Sequence, residues 1–138
     1  MNQQHTLKKK ERLKSRKQIE ALFQSGKSFM LFPFKVYYQF GTGDNTLPPN
    51  CLRFGIGVGA RNFKKASDRN RIKRLAREAY RLQKTVLQEK LVKSRQHLAL
   101  FFIYTGKELP DFAVVSVKMK LILERLIKMT DERSVADS

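Results

Sequence analysis

Residues 68–93 predict one long helix with two very different sides. On a helical wheel at about 100° per residue, the apolar residues fall on one side: Ile72, Leu75, Ala76, Ala79, Leu82 and Val86. The opposite side is almost entirely cationic: Asn70, Lys73, Arg74, Arg77, Arg81 and Lys84. Such a helix buries its apolar side against a core, so its cationic side is expected to face outward.

Cations also crowd the start of this helix, which is the unfavourable end for them. The helix dipole is positive there, and each misplaced cation costs roughly 0.3–1 kcal/mol. Arg69 and Arg71 nevertheless lie in the first turn, preceded by Arg61, Lys64 and Lys65. A solvated helix face usually mixes charges of both signs. The pattern therefore indicates a polyanionic partner, because Arg side chains and free N–H groups at a helix start both bind phosphate.

Three segments have the residue patterns of β-strands. Residues 34–40 and 51–60 alternate between two kinds of side chain, as strands with one buried face do. Residues 97–104 form a continuous apolar run, which predicts a buried central strand. On the first strand, one face carries Lys35, Tyr37 and Gln39.

A row of glycines lies on one face of the second predicted strand. That face carries Arg53, Gly55, Gly57 and Gly59. Glycine weakens a strand unless another backbone or a ligand must approach closely. Tight packing of the following helix is the alternative explanation, and the sequence leaves both open.

Two further helices complete the predicted architecture. Ser15 and Gln18 resemble a capping box, and Gly26 ends the short helix that follows. The last helix begins near Pro110, and the chain is expected to fray after Thr130. Its apolar stripe consists of Val115, Met119, Ile122, Leu126 and Met129. The order of elements predicts a single α+β domain in which a sheet packs on helices.

The positive charge is concentrated in the first part of the 138-residue chain. Residues 1–100 hold 23 Lys/Arg and 6 Asp/Glu, whereas residues 101–138 hold six of each, so the formal net charge of +17 arises entirely in the first hundred. Residues 1–14 are expected to form a flexible basic arm. This surplus points to a nucleic-acid partner for the first hundred residues.

Several other classes of protein are disfavoured. Cys51 is the only cysteine, which precludes an internal disulfide and fits a reducing compartment. No apolar run approaches the ~20 residues of a membrane span, and no signal peptide is apparent, so a cytoplasmic location is expected. The segment SGKS at residues 25–28 is not a phosphate-binding P-loop, because Ala21 stands where its first glycine is required.

No catalytic or metal centre is evident in the sequence. Asp68 and Glu78 are the only carboxylates near the cationic face, whereas a metal nuclease needs clustered ligands. His5 and His97 are far apart in sequence, although a His–His acid–base pair stays an open alternative. The chain is therefore predicted to bind nucleic acid without cleaving it alone.

Aromatic residues beside cations favour single-stranded RNA as the ligand. A basic helix alone could also enter the major groove of DNA. However, Tyr37 lies beside Lys35 on a strand face, and Ile19 and Phe23 on the first helix could line the same groove. Such grooves hold unstacked bases. Ordinary core packing explains Tyr37 and Phe23 equally well from the residues alone.

The segment RNRIKRLAREAYR, residues 69–81, resembles the protein subunit of bacterial ribonuclease P. That family has the pattern R-N-x-x-K-R-x-x-R-E, matched at every fixed position by Arg69, Asn70, Lys73, Arg74, Arg77 and Glu78. The segments RLKSRKQIEALFQSGKSF, FKVYYQF and LRFGIGVGARNFKKASDRN are similar to the family's first helix, its cleft strand and the approach to its motif. The resemblance covers roughly residues 7–130.

This resemblance implies a fold and a function. The implied fold is a four-stranded sheet packed on helices with a left-handed β-α-β crossover, like the second domain of ribosomal protein S5. The implied catalyst is a large RNA with bound Mg²⁺, while the protein holds the 5′ leader of precursor tRNA and needs no protein partner. Implied contacts with the catalytic RNA are Arg69, Asn70, Arg71, Lys73, Arg74 and Arg77. Those in the leader cleft are Ile19, Phe23, Tyr37, Lys35, Arg53 and Arg61.

Two positions depart from the family's pattern. Ile19 stands where an aromatic residue is common, and Gly59-Ala60 where a lysine is common, with Arg61 a candidate to compensate. The first hypothesis is the protein subunit of a ribonucleoprotein endonuclease that matures tRNA 5′ ends. The alternatives are a non-catalytic RNA-binding protein of ribosomal type and, less favoured, a stand-alone nuclease.

Overall fold

The computed structural model describes residues 12–13, 15–42 and 51–136. Most of the predicted basic arm, residues 1–11 and 14, lies outside this described part. The elements in chain order are α1 (Arg16–Ser25), β1 (Lys27–Leu31), β2 (Phe34–Thr42), β3 (Leu52–Val58), α2 (Ala66–Gln83), α3 (Thr85–Lys93), β4 (Gln96–Tyr104) and α4 (Phe112–Ala136).

The four strands form one mixed sheet in the order β1-β2-β4-β3. The pairs β1/β2 and β2/β4 are antiparallel, whereas β3 and β4 are parallel and are joined by the crossover through α2 and α3. The predicted four-stranded α+β sandwich is therefore confirmed, with β4 as a central strand. The strand β1 was not apparent from the residue pattern, because Phe29 is its only buried side chain.

The hydrophobic core lies between the sheet and the helices α2, α3 and α4. Alternate residues of β4 point into it, and Leu98, Leu100 and Phe102 are essentially fully buried. The stripe predicted on α4 is confirmed, since Val115, Met119, Ile122 and Leu126 are fully buried and Met129 packs against the cluster. Each large apolar side chain buried in this way contributes about 1.5–3 kcal/mol.

The predicted long helix is wrong in one respect, because a turn at Lys84 divides it into α2 and α3. Leu82 and Val86, expected in the core, are 48% and 51% exposed. The predicted Ile72, Ala76 and Ala79 are fully buried, and the larger side chains buried with them are Tyr80, Leu87 and Leu91. This rotates the buried side of the helix, and Lys84, expected on the outer cationic face, is only 7% exposed.

Local signals at the helix ends act largely as predicted. The Ser15 hydroxyl accepts a hydrogen bond from the Gln18 N–H at 3.4 Å, and the Gly26 N–H donates to the Leu22 carbonyl at 2.8 Å. The last helix does not fray after Thr130 but continues to Ala136. The Arg133 side chain ties this last part to the sheet by donating to Gln96 Oε1 at 2.9 Å.

The first described residues are anchored to the sheet rather than flexible. Arg12 forms a parallel bridge with Phe54 at the outer edge of β3, and the Leu13 N–H donates to the Phe54 carbonyl at 2.9 Å. The Leu13 side chain is 5% exposed. The predicted boundary of the arm at residue 14 is therefore too late, since buried apolar surface at Leu13 holds the chain in place.

The glycine row on β3 makes room for this anchored segment. A Cβ at Gly55 would lie 2.8 Å from the carbonyl oxygen of Leu13 and 2.6 Å from Cδ1 of Phe101. Of the two explanations that the sequence left open, the close approach of another backbone is correct for Gly55. Gly57 faces the same Phe101 ring, with contacts of 3.1 and 3.2 Å.

Candidate nucleic-acid interface

The helix α1 lies across the sheet face that points away from the core. Tyr37 and Phe101 are paired across β2 and β4, and both alternate with buried core residues. The Phe23 ring of α1 lies 4.6 Å from the Tyr37 ring and 5.5 Å from the Phe101 ring, measured between centroids. We call this set, together with Lys35, the aromatic groove.

The aromatic groove combines accessible rings with a cation. Phe23 is 41% exposed, and Lys35 Nζ lies 5.0 Å from the centroid of the half-buried Tyr37 ring. Leu22, at 1% exposure, is the α1 residue that anchors the helix in the interior. Core packing is therefore a poor explanation for Phe23, and the set suits an unstacked base with its phosphate.

Sequence reasoning missed one member of the groove, Phe101. This residue lies within the continuous apolar run of β4, where every side chain looks like core. Only the register with β2, which pairs it with Tyr37, reveals that it faces the groove. Ile19, one turn before Phe23 on α1, is half-buried.

Arg53 and Arg61 lie apart from the aromatic rings. Arg53 is half-buried in the neighbouring row of the same sheet face, where it is paired with Ala99. With Gln39 and His97 it lines a separate concavity of about 440 Å³. Arg61 lies exposed in the loop between β3 and α2. A Cβ at the nearby Gly59 would meet nothing within 4 Å, so no packing requires glycine there.

The outer face of α2 presents most of the predicted cations to solvent. Exposed members are Asn70, Arg71, Arg74 and Arg77, whereas Lys73 is half-buried. The N-cap residue Lys65 forms no side-chain capping hydrogen bond, so the helix start keeps N–H groups that no side chain caps. This combination favours phosphate binding at the start of α2.

Two interactions modify the charge of this face. Arg81 donates to Glu78 Oε1 at 3.2 Å, so the carboxylate offsets Arg81 rather than the cations nearer the helix start. Burial lowers the pKa of Arg77, and the nearby positive charge of Arg12 lowers it further. Arg77 therefore lies in a local surplus of positive charge.

Arg69 differs from the other cations because its side chain holds the loop before α2. Its Nη1 donates to the carbonyls of Phe63 at 2.7 Å and Lys64 at 2.9 Å. The side chain is half-buried. The first arginine of the motif thus fixes the backbone that carries Arg61, Lys64 and the start of α2.

Replacing Arg69 by glutamine is expected to lower the free energy of unfolding by about 1 kcal/mol, because two charge-assisted hydrogen bonds are lost at a partly exposed site. Urea unfolding measures this change. Arg71→Gln is the matched control, since Arg71 is exposed and its replacement is expected to leave stability within about 0.5 kcal/mol. Equal stability of the two variants would contradict the structural role of Arg69.

The described part of the chain contains neither a cluster of metal ligands nor a membrane-spanning helix. Within residues 12–13, 15–42 and 51–136, no three His, Cys, Asp or Glu side chains are grouped where they could hold a metal ion. His97 Nε2 is buried and has no hydrogen-bond partner among these described residues. No helix in the described part of the chain is long and apolar enough to span a membrane.

A strongly basic helix on the core side of the sheet and an aromatic groove on its open face together suit a small nucleic-acid-binding α+β domain. Comparison with known proteins gives the particular family. The chain belongs to the ribonuclease P protein family, whose model, described as Ribonuclease P, matches residues 7–126.

The relatives and structural neighbours agree with this assignment. The chain is 37% identical to the ribonuclease P protein component of Porphyromonas gingivalis over 120 residues, which cover 87% of this chain and 85% of that protein. It is 31% identical to that of Chlorobium phaeobacteroides, with 88% of each chain covered. The RNase P protein from Thermotoga maritima has a TM-score of 0.62 and 31% identity, covering 83% of this chain and 96% of that one. The Staphylococcus aureus RNase P protein, at 19% identity, shares the fold with a TM-score of 0.62, covering 83% of this chain and 93% of its own.

Proposed function

We propose that this chain is the protein subunit of ribonuclease P, which binds the catalytic RNA and the 5′ leader of precursor tRNA during removal of that leader. Membership of the family supports the assignment. The observation that carries it is the pairing of two surfaces on one small domain, the aromatic groove and the cationic face of α2. The aromatic groove suits single-stranded RNA, and the cationic face of α2 suits a folded RNA.

In this proposal the aromatic groove holds the leader. A leader base stacks on the Tyr37 ring, and Phe23 supports that ring from α1. Lys35, which lies over Tyr37, neutralises the adjacent phosphate. Stacking on a ring tolerates any base, because every base has a π-face. The leader is thus held mainly by shape and charge rather than by base identity.

The cationic face of α2 binds phosphates of the catalytic RNA. Arg71, Arg74 and Arg77 are exposed there, and Arg69 positions the preceding loop. Mg²⁺ supplies the hydrolytic chemistry when bound by the RNA, whereas this chain contributes positive charge that reduces repulsion between the two RNAs. No further protein is required in this proposal, and the complex acts in the cytoplasm.

Replacing Arg74 by glutamine is expected to weaken binding of every RNA similarly and to reduce the slope of log affinity against log salt by about 0.7–0.9. The reason is that one phosphate contact, and its released counterion, is lost. Affinities measured between low and moderate salt give the slope. Lys120→Gln on α4 is the control, because Lys120 is exposed but belongs to residues 101–138, which carry no net charge. An unchanged slope for Arg74→Gln would remove Arg74 from the interface.

Three cleavage reactions on a precursor tRNA at limiting Mg²⁺ test the proposal: the catalytic RNA alone, this protein alone, and both together. The proposal expects efficient leader removal only in the mixture. If the protein adds nothing to a competent RNA, the subunit function fails and general RNA binding of ribosomal type replaces it. If the protein cuts alone, it contains an active site, and His97, Asp68 and Glu78 become its first candidates.

A further inference from the structure

The side of α4 that points away from the core and from α2 carries exposed apolar residues. Val114, Val117 and Leu121 follow one another at helical spacing, and all three are exposed. Ser116, whose carbonyl accepts the hydrogen bond from Gln83 of α2, lies about 200° around the helix from Val114. The buried stripe of α4 already holds the helix to the sheet. The fold therefore does not account for this second, outward stripe.

A concavity adjoins the first residue of the outward stripe. It has a volume of about 560 Å³ and lies between the turn after β1 and the start of α4. Its larger apolar lining residues are Phe32, Pro33, Tyr104, Leu109, Pro110 and Val114. Phe32 is 64% exposed, the highest value among the large apolar side chains that the structure describes. We call the concavity, together with Val117 and Leu121, the apolar flank. Contiguous exposed apolar surface of this kind marks an interaction site.

The charges around the apolar flank balance. Its concavity is also lined by two cations and two carboxylates, Lys107, Lys118, Glu108 and Asp111. None of the four forms an ion pair with another residue of the described part of the chain. The whole segment 101–138 likewise holds six basic and six acidic residues. The apolar flank therefore lacks the positive surplus that attracts RNA.

A second copy of this chain matches the apolar flank better than an RNA does. In a two-fold interface the same surface meets itself, so each feature must be present together with its complement. The apolar flank meets this condition, because an exposed ring lies beside a concavity and unpaired cations lie beside unpaired carboxylates. Two chains of formal charge +17 also approach through it without bringing their surplus cations together.

We propose that two copies of this chain associate through their apolar flanks about a two-fold axis. The Phe32 ring of each copy enters the concavity of the other, and Val117 and Leu121 pack across the axis. The cations at each concavity meet carboxylates of the other copy. The aromatic groove and the cationic face of α2 stay outside this contact, so the dimer presents two sets of RNA-binding surfaces. The inference does not depend on the proposed function, because the apolar flank is not proposed to touch RNA.

Sedimentation equilibrium of the full chain without RNA tests the dimer, at low and at high salt. Up to about 100 μM protein we expect a reversible equilibrium between monomer and dimer, with a Kd of about 10 μM. The association is weak because the two net charges repel each other. Salt is expected to strengthen it, since screening reduces that repulsion, whereas salt weakens binding of RNA.

Replacing Val117 by glutamate is expected to weaken the dimer at least about tenfold, because the interface then buries a carboxylate from each copy. Ala21→Glu is the matched control, since it adds the same charge at an exposed helical position on the opposite face of the sheet. Phe32→Ala gives a second test and is expected to weaken the dimer several-fold. Thermal unfolding of each variant checks the fold, and affinity for the catalytic RNA is expected to be equal in Val117→Glu and Ala21→Glu.

Three results would overturn the dimer. They are a chain that stays monomeric at both salt concentrations, a dimer that weakens as salt rises, and an equal effect of Val117→Glu and Ala21→Glu on association. If the chain is monomeric and Val117→Glu lowers affinity for the catalytic RNA more than Ala21→Glu does, RNA covers the apolar flank instead. Leader cleavage by the wild-type protein is measured separately, so the dimer and the proposed function can each fail alone.

Discussion

Replacing Tyr37 by alanine is expected to weaken leader-dependent binding of precursor tRNA by about 1–3 kcal/mol, or roughly 5- to 150-fold in affinity. The ring is held between α1 and the sheet, with Phe23 at 4.6 Å and Lys35 Nζ at 5.0 Å from its centroid. Alanine removes the stacking surface and also the ring that orients the lysine. The loss is therefore expected to exceed that of any single exposed cation.

The controls separate stacking from folding and from general RNA affinity. Tyr37→Phe keeps the ring and is expected to bind nearly as well as the wild type. A tRNA with a mature 5′ end, which has no leader, should bind both variants equally, because it places no base in the aromatic groove. Thermal unfolding of each variant checks that replacing the half-buried Tyr37 leaves the fold intact. An equal loss of affinity for the precursor tRNA and for the tRNA without a leader would show that Tyr37 does not contact the leader.

The elements that the sequence predicted well are those with strong local signals. Ser15 caps the start of α1 and Gly26 ends the helix, as predicted, and the stripe of α4 depends only on helical spacing. The strand β1 has no such signal, since it buries a single residue, Phe29. Its pairing with β2 is set by tertiary contacts that no short window of sequence contains.

The position of the turn that separates α2 from α3 also depends on tertiary contacts that no short window of sequence contains. The predicted apolar side is buried at Ile72, Ala76 and Ala79, and the buried side also includes Tyr80, because its ring stacks on Phe54 in the core. The choice depends on the partner surface, which is specified more than twenty residues earlier in the chain. Lys84 consequently lies at the turn, largely buried, instead of on the outer face.

The residues of the candidate site also fall into two groups, those with a local sequence signal and those placed only by tertiary contacts. Residue type and spacing made Phe23, Tyr37 and the exposed cations of α2 candidates, although core packing explained the two aromatic residues equally well. Phe101 was not, because it becomes part of the surface only through its strand pairing with β2. The role of Arg69 within the fold was hidden for the same reason, since its acceptors are backbone carbonyls of a loop.

Replacing Gly55 by alanine is expected to destabilise the protein by about 1–3 kcal/mol, as overpacking of a well-packed interior does. The added Cβ would lie 2.6 Å from Cδ1 of Phe101 and 2.8 Å from the Leu13 carbonyl oxygen. Relief requires either tilting the Phe101 ring into the aromatic groove or detaching the anchored Leu13 backbone from β3. Both movements disturb the surfaces proposed to bind RNA.

Alanine substitutions at two neighbouring glycines give a series in which the steric clash of the added Cβ decreases. The Cβ contacts are looser at Gly57, at 3.1 and 3.2 Å, and nothing lies within 4 Å at Gly59. The free energy of unfolding, measured in urea, should therefore fall most for Gly55→Ala, less for Gly57→Ala, and remain unchanged or rise by up to about 1 kcal/mol for Gly59→Ala. Leader affinity should follow the same order. Equal stability of the three variants would mean that neither Phe101 nor Leu13 constrains the row. In that case the glycines would reflect some other requirement than the backbone approach that anchors the start of the chain.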